Sequence, residues 1–347
     1  MKKIHYPRPH FERDGFFMTD PESSTFVFPD HFKGDIILMN CEGRGSVCLN
    51  GEKIQAAKGT DVTSLVRREG ENSIFTEGEV SCVWFECVPK IYIKRAKLIP
   101  NADENKVRVE LELSGNTEAA VEIFAENSLI AAYSTRSASC EIPVPEYRMW
   151  TPDDPFMYDV MLTAGKDTVK TRFGMKKLSI SRNEQHPRIY LNNKMYFPVA
   201  AEDTDIEAAK AAGFDMIKVS QRMSDEWYAR CEKRGMMVWQ DSYDEDVLCF
   251  TCIAVSRCEG ADCLVCGDNG DIRVITGKME KADGKALIFS CSKKRPSQFY
   301  KKSARLFKKG ISGAVWEFCA AEKNMKDRAK TLRKTVYAKH KSKKSVP

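Results

Sequence analysis

The sequence contains no run of about 18 apolar residues, the length that a membrane-spanning helix needs, so it predicts no membrane span. The N-terminal stretch MKKIHYPRPHFERDGFF lacks the apolar segment of a secretory signal. Thirteen cysteines in a chain without such a signal predict reduced thiols and a cytoplasmic protein. The 347 residues are enough for two or three domains with buried cores.

Acidic residues are scarce near the C-terminus. From residue 293 onward there are 18 Lys and Arg against 3 Asp and Glu, whereas the first 292 residues carry 37 against 46. The C-terminal block is therefore about +15 and the remainder about −9. The ordinary interpretation is a solvated helix face followed by a frayed tail, and the alternative is a surface that contacts phosphates.

The first half of the chain has a β pattern. Residues 1–90 alternate apolar and polar side chains in short runs, and Asn50-Gly51 in CLNGEKI predicts a hairpin. A second β segment follows Pro100, with KVRVELEL, AAVEIFAE and YDVMLTAG as strands, and it ends near RFGMKKLSI. This spacing predicts a sandwich of roughly 85 residues.

The period changes after residue 200. DTDIEAAKAAG and SDEWYARCEKRG predict helices that begin at Asp, Thr or Ser caps and end at glycine, while FDMIKVS and MMVWQDS predict strands. Alternating strands and helices at this spacing predict a parallel sheet with its functional loops at the carboxyl ends of the strands.

Longer motifs add a family resemblance. YRMWTPDDPFMYDVML, RFGMKKLSI and IYLNNKMYFPVA resemble the junction between sandwich and barrel in glycoside hydrolase family 2, which holds the β-galactosidases, β-glucuronidases and β-mannosidases. LNGEKI with GTDVTSLVRREGENSI resembles its sugar-binding jelly roll, and WYARCEKRGMMVWQDS resembles the second helix and third strand of its barrel. The Trp-Gln-Asp run at 239–241 is similar to the β-mannosidase branch.

The resemblance implies three domains. These are a shortened jelly-roll-like β-sandwich over residues 1–92, an immunoglobulin-like β-sandwich over 93–182, and an incomplete (β/α)8 TIM barrel over 183–347 with a basic C-terminal helix or tail. The implied ancestral reaction is hydrolysis of terminal β-glycosides with retention, of the β-mannoside or β-galactoside type, and it needs no cofactor. The implied ligand is a carbohydrate.

The two catalytic glutamates of the family have no counterpart in this chain. By resemblance, SRCEGADCLVCGDNG is the fourth barrel strand and places the acid/base position on Gly270, while LIFSCSKKRPSQFY is the seventh and places the nucleophile position on Cys291. Retaining glycosidases need two carboxyl groups about 5–5.5 Å apart. Asp268 is a weak substitute because its side chain is one methylene shorter. We therefore expect little or no hydrolysis, and either carbohydrate binding or a decayed protein.

The barrel segment is short. About 147 residues follow residue 200, whereas eight strand–helix units need roughly 200 at least. Only DIRVITGKMEKADGKA separates the predicted fourth and seventh strands, and one βαβ unit takes roughly 30 residues. The length predicts a sheet of six strands without the fifth and sixth, whose open edge is a route to self-association.

Two further sets of side chains are candidates for binding. Near the predicted carboxyl ends of the strands, five residues are candidate carbohydrate contacts, although both tryptophans are equally consistent with barrel packing: Trp239, Asp241, Asn269, Trp316 and Glu317. Four cysteines have zinc-site spacing: Cys249, Cys252, Cys263 and Cys266. On a barrel strand, Cys263 and Cys266 would point to opposite faces, so no metal is expected. A nucleic-acid-binding protein with a zinc module and the basic block is the alternative, and no aromatic-basic motif supports it.

Overall fold

The computed structural model describes residues 12–13, 15–19, 24–181, 186–202, 204–220, 223–240, 252–254, 272–275, 286–291, 296–317 and 325–344. The strands in these ranges are β1 (Glu12–Arg13), β2 (Phe16–Met18), β3 (Thr25–Val27), β4 (Ile36–Leu49), β5 (Glu52–Gln55), β6 (Thr60–Asp61), β7 (Glu71–Val88), β8 (Ile93–Asn101), β9 (Lys106–Leu113), β10 (Ala119–Ala125), β11 (Ser128–Thr135), β12 (Ser139–Pro143), β13 (Tyr158–Ala164), β14 (Asp167–Phe173), β15 (Leu178–Ser181), β16 (Arg188–Leu191), β17 (Lys194–Met195), β18 (Val199–Glu202), β19 (Met216–Val219), β20 (Met237–Gln240), β21 (Cys252–Ala254), β22 (Ile272–Ile275), β23 (Ala286–Cys291) and β24 (Ile311–Glu317). The helices are α1 (Ile206–Ala211), α2 (Asp225–Lys233), α3 (Pro296–Phe307) and α4 (Met325–Lys344). None of these helices is both long enough and apolar enough to cross a bilayer.

The N-terminal region is an antiparallel sheet built on two long strands. β4 pairs along its whole length with Ile74–Val88 of β7, and β2, β3, β5 and β6 join these two strands. The predicted hairpin is confirmed, because Asn50 and Gly51 have φ angles of 51° and 91° and Leu49 pairs with Glu52. Positive φ at both turn residues is the geometry of a type I′ turn. The core of this sheet is rich in phenylalanine: Phe26, Phe28, Phe32 and Phe85.

The middle region is two antiparallel sheets packed face to face. One has the order β1-β14-β13-β10-β11 and the other β12-β9-β8, and both contribute to a single core. The strands predicted from KVRVELEL, AAVEIFAE and YDVMLTAG are confirmed as β9, β10 and β13. In each of them buried residues alternate with more exposed ones, which is the pattern of strands with one face on a core.

A buried ionic cluster joins these two regions. Arg13 is only 7% exposed and donates from Nε and Nη2 to the two carboxylate oxygens of Asp167, at 2.8 and 2.9 Å. Its Nη1 donates to Glu86, and Nη2 also donates to the Ile93 carbonyl at 2.7 Å. Trp84 Nε1 donates to the second oxygen of Glu86 at 3.1 Å. Glu86 lies on β7 and Asp167 on β14, so one guanidinium holds the N-terminal sheet against the sandwich.

The C-terminal region contains a parallel sheet of seven strands in the order β21-β20-β19-β18-β24-β23-β22. The last strand, β24, pairs with the first, β18, which gives the sheet the strand order of half a barrel. Among the described residues, no pairing joins the two edge strands β21 and β22. A small antiparallel sheet, β15-β16-β17, precedes it.

Both faces of the parallel sheet are covered. One face packs on the four helices, through residues such as Ala201, Ile217 and Val238. The other face packs on Trp150 and on the small sheet, through Met216 and Met237. Strands that are buried on both sides explain the continuous apolar runs FDMIKV and MMVW.

Two expectations about this sheet are corrected. The strand beside β20 is Cys252–Ala254, whereas the sequence predicted the fourth strand within SRCEGADCLVCGDNG. Over the described residues the sheet has seven strands instead of six, because Ile272–Ile275 pairs with β23. A four-residue strand with a short connection fits into a segment that cannot hold a complete βαβ unit.

The predicted helix ends are confirmed for α1 and α2. The Asp205 side chain accepts hydrogen bonds from the backbone N–H groups of Glu207 and Ala208, and Ser224 Oγ accepts one from Trp227. Gly235 follows α2 with a φ of 64°, and a Cβ at this position would lie 2.2 Å from the Pro152 carbonyl oxygen. The junction before the parallel sheet therefore packs directly on the glycine that ends α2.

Helix α4 is tied to the amino-terminal ends of the first strands. Arg333 Nη2 lies 3.0 Å from Asp215 Oδ2 and donates to the Gly213 carbonyl at 2.9 Å. Asp215 Oδ1 in turn accepts the N–H of Val199 at 2.9 Å, at the start of β18. Burial raises the pKa of the nearby Tyr196 phenol well above its ordinary value. A neutral tyrosine thus lies beside a paired carboxylate, and this edge of the sheet is structural.

Replacement of Arg13 by alanine is predicted to destabilise the protein strongly. Glu86 and Asp167 would remain buried without their cation, and breaking a buried ion pair typically costs about 3–5 kcal/mol. Urea unfolding with intrinsic fluorescence measures the loss. The matched control is Arg108→Ala, whose partner Glu110 is more than a third exposed, and we expect a loss of less than about 1 kcal/mol. Equal losses in the two variants would show that the Arg13 cluster is not a stabilising link.

Candidate functional site

The candidate site lies at the carboxyl edge of the parallel sheet, where such sheets usually bind ligands. Three neighbouring strands bring Glu202, Lys218 and Trp239 into register: Glu202 pairs with Lys218, and Lys218 pairs with Trp239. Residues paired in this way project from the same face of a sheet. It is the face opposite the helices, because Ala200, two residues before Glu202, belongs to the core on that side.

An ion pair forms the polar part of this row. Lys218 Nζ donates to Glu202 Oε1 at 2.5 Å, and both side chains are 20% exposed. The ion pair is therefore largely shielded from bulk water, but a dissolved ligand can still contact it. A carboxylate and an ammonium group side by side offer both an acceptor and a donor to a polar ligand.

Trp239 forms the apolar part of the row. Its side chain is 1% exposed and packs with Trp150 and Met237, so the ring faces are covered by the core. This location supports packing as the role of the ring and does not provide an open face for stacking on a sugar. Among the described residues nothing accepts its Nε1–H, whereas Trp150 donates its own Nε1–H to the Glu232 carbonyl at 3.2 Å.

The strands on the other side of β18 add three further predicted residues. Glu317 on β24 pairs in register with Glu202, and Trp316 pairs with Ala201. Cys291, at the end of β23, pairs with Trp316. Neighbouring strands are about 4.7–4.9 Å apart, so the backbone brings the Glu202 and Glu317 positions next to each other.

The remaining predicted site residues lie outside the described residues. They are Asp241, Asp268, Asn269 and Gly270 of the glycosidase interpretation and Cys249, Cys263 and Cys266 of the zinc alternative. Cys252 is placed on β21. Within the described part of the chain, no three His, Cys, Asp or Glu side chains converge as metal ligands do.

Sequence reasoning missed Glu202 and Lys218. Both residues could have been identified from the sequence, since Glu202 ends the strand PVAAE and Lys218 lies in the predicted strand FDMIKVS. A charged residue inside a strand buried on both faces is a signal, because such a residue is seldom tolerated there without a partner. The sequence could not indicate that the two residues are partners, because that depends on the register of β18 and β19.

Four of the described cysteine side chains are buried: Cys41, Cys87, Cys140 and Cys231. Burial raises the pKa of the Cys41 and Cys87 thiols to about 11. At neutral pH these side chains are protonated, and they act as small apolar groups rather than as nucleophiles.

Comparison with known proteins identifies the relationship. The family model described as "Glycosyl hydrolases family 2" matches residues 92–176, which form most of the two-sheet middle region. Over these residues the chain is similar to that family. The resemblance to family 2 that the junction motifs carry is thereby confirmed. No curated protein matches the chain significantly in sequence.

Several solved β-glucuronidase structures have a fold similar to that of this chain. The β-glucuronidase of Ruminococcus gnavus aligns with a TM-score of 0.67 and 12% identity over 93% of this chain and 88% of that one. The β-glucuronidase of Faecalibacterium prausnitzii aligns with a TM-score of 0.64, 13% identity and the same coverage. A Ruminococcus gnavus β-glucuronidase in complex with uronic isofagomine aligns with a TM-score of 0.53 and 14% identity. This chain spans only 47% of that longer one. At such identities the likeness is one of fold.

The pKa of the buried thiols leads to a prediction about their reactivity. In the folded protein, the rate at which iodoacetamide alkylates Cys41 and Cys87 should rise about tenfold per pH unit from pH 8 to pH 10, because the thiolate fraction rises until the pKa near 11 is reached. In urea the same thiols should titrate near their ordinary pKa of about 8.5, so the rate should level off above about pH 9. Peptide mass spectrometry follows each site. A folded-state plateau near pH 9 would contradict the buried environment.

Proposed function

We propose that this family 2 relative binds a β-glycoside at the carboxyl edge of its parallel sheet and hydrolyses it very slowly or not at all. The proposal includes a finer description of the fold. In it the N-terminal sheet is a shortened jelly roll, the middle region an immunoglobulin-like sandwich, and the parallel sheet an incomplete TIM barrel. The strand order, in which the last strand pairs with the first, supports this description.

One observation carries the binding part of the proposal. The Glu202–Lys218 ion pair lies in a row with Trp239, at the sheet edge where parallel sheets bind ligands. Sugar hydroxyl groups are both donors and acceptors, and a carboxylate beside an ammonium group can bind two of them at once.

The loss of hydrolysis follows from the residues at the two family positions. Gly270 has no side chain, and Cys291 has a thiol in place of a carboxylate. Retaining hydrolysis needs one carboxyl group as nucleophile and one as acid/base. Removing members of such a unit lowers the rate by orders of magnitude. In this proposal Glu202 and Glu317 do not replace the two missing catalytic carboxylates, although their backbone positions are adjacent. The reason is that the Glu202 carboxylate forms an ion pair with Lys218.

The direct test of this loss is an assay with aryl β-mannoside, β-galactoside and β-glucuronide substrates. We expect no turnover above the uncatalysed rate for any of the three. Turnover that disappears in Asp268→Asn or Cys291→Ala would show that one of these side chains has taken over a catalytic role. Turnover that disappears in Glu202→Gln would assign that catalytic role to the Glu202 carboxylate instead.

Ligand-observed NMR with the corresponding methyl glycosides tests binding. Lys218→Met should weaken binding of the preferred glycoside by about tenfold, since a hydrogen bond to a charged group contributes about 1.5–3 kcal/mol. The matched control is Lys53→Met, which removes the lysine of another ion pair, Lys53–Glu77, on the N-terminal sheet. If neither variant changes the affinity, or if no glycoside binds the unmodified chain, the proposed site is wrong.

A further inference from the structure

The proposed site makes no use of the basic C-terminal block, which forms a distinct surface on α3 and α4. These two helices pack against each other. Eight Lys and Arg side chains on the two helices and on the turn after α3 are exposed: Lys301, Arg305, Lys308, Lys309, Lys326, Arg328, Lys330 and Lys334. We call this set the basic surface. Over residues 296–310 and 325–344, Asp327 is the one acidic residue of the sequence.

The spacing of these charges on α4 is regular. Lys326, Lys330 and Lys334 follow one another at four-residue intervals, which places them on one side of the helix roughly 6 Å apart along its axis. Like charges at this spacing repel each other and destabilise the isolated helix. An anionic polymer along the row would remove the repulsion, because each ammonium group would face a counter-charge.

The opposite sides of both helices are already occupied. Phe299, Leu306 and Phe307 of α3 and Ala329, Leu332 and Val336 of α4 are buried in the core beside the parallel sheet. An interfacial helix binds a bilayer by burying its apolar face in the lipid. Because these apolar faces pack on the protein, the surface offers charge alone, which argues against a membrane as the partner.

The acidic side chains of the chain itself are poor partners for this surface. Many of those described on the β-sheets already pair with a lysine or arginine of the same chain, including Glu77, Asp103, Glu110, Glu126, Glu141 and Asp154. If a second copy docked on the basic surface through these residues, it would break its own ion pairs. A ligand whose anionic groups are all free is favoured.

We propose that the basic surface binds the phosphodiester backbone of double-stranded nucleic acid without sequence preference. Regularly spaced lysines on a helix suit a regular array of phosphates, and contacts to phosphates alone carry no sequence information. The aromatic side chains Phe299, Tyr300 and Phe307 of α3 are buried, so they cannot stack on unpaired bases, as single-strand binding requires. The duplex backbone is the form of nucleic acid that this surface fits.

Fluorescence anisotropy with a labelled DNA duplex of mixed sequence, about 20 base pairs long, tests the proposal on the full chain. Affinity should fall linearly in a plot of log K against log salt between 50 and 200 mM, with a slope of about −0.9 per phosphate contact. In the triple variant Lys326→Gln/Lys330→Gln/Lys334→Gln, affinity at the lowest salt should fall at least about tenfold, and the slope should become shallower by about 2 to 3.

The matched control is Lys33→Gln/Lys90→Gln/Lys166→Gln, which removes three exposed lysines from the β-sheet regions and changes the net charge equally. We expect its affinity for the duplex to stay within about twofold of that of the unmodified chain, because the number of phosphate contacts, and not the total charge, sets the salt-dependent part of the affinity. Equal losses in the two variants, or no loss in the α4 variant, would overturn the proposal. Equally potent displacement of the duplex by a polyuronate or by phosphatidylserine vesicles would overturn the assignment to nucleic acid. Circular dichroism and thermal melting of both variants verify that they are folded.

Discussion

The architecture depends on the placement of one buried guanidinium. Arg13 lies at the start of the described chain, and its side chain donates four hydrogen bonds to a carboxylate on β14, a carboxylate on β7 and the carbonyl of Ile93. A cation that is 7% exposed is stable only because these acceptors surround it. Asp167 also accepts the backbone N–H of Ile93, so the same carboxylate fixes the point where the chain passes from the N-terminal sheet into the sandwich. The position of the sandwich in turn fixes Trp150 against the inner face of the parallel sheet.

The two edges of the parallel sheet have different roles. At the amino edge, Asp215 binds Arg333 and the backbone of Val199, and Lys210 donates to the carbonyls of Pro152 and Gly235. Burial lowers the pKa of Lys210. At the carboxyl edge, Lys218 pairs with Glu202 in a partly open position. The charged side chains named at the amino edge form hydrogen bonds and ion pairs within the fold, whereas those named at the carboxyl edge are accessible to a ligand.

Local signals in the sequence predicted the local structure well. The hairpin was predicted from Asn50-Gly51, and the starts of the two helices were predicted from Asp205 and Ser224. These predictions succeeded because such turns and caps involve only neighbouring residues. Alternating apolar residues gave the strands of the sandwich. The family resemblance predicted the order of the regions. The short strands β21 and β22 were misplaced or missed, because three or four residues are too few to show a period.

The site was harder to predict than the fold for a related reason. Glu202 and Lys218 are 16 residues apart, and only the register of two parallel strands makes them partners. Arg13 and Asp167 are separated by 154 residues, and nothing in either local segment indicates the other. Trp239 was identified from its position near a strand end, yet its exposure depends on Trp150 and Met237, which the pattern could not place beside it.

The tie between Arg333 and Asp215 has a consequence for how the chain acquires its structure. Arg333 lies near the C-terminus, while its partners Asp215 and Gly213 are about 120 residues earlier, and β24 likewise pairs with β18 from far along the chain. During synthesis on the ribosome, the two β-rich regions are complete long before these residues emerge, and domains generally fold in that order. The edge of β18 therefore stays uncovered until β24 has emerged, and Asp215 stays without its cation until Arg333 has emerged. Non-local pairing of this kind is slow, so the early strands of the parallel sheet are exposed to misfolding for longer than strands that pair with their immediate neighbours in sequence.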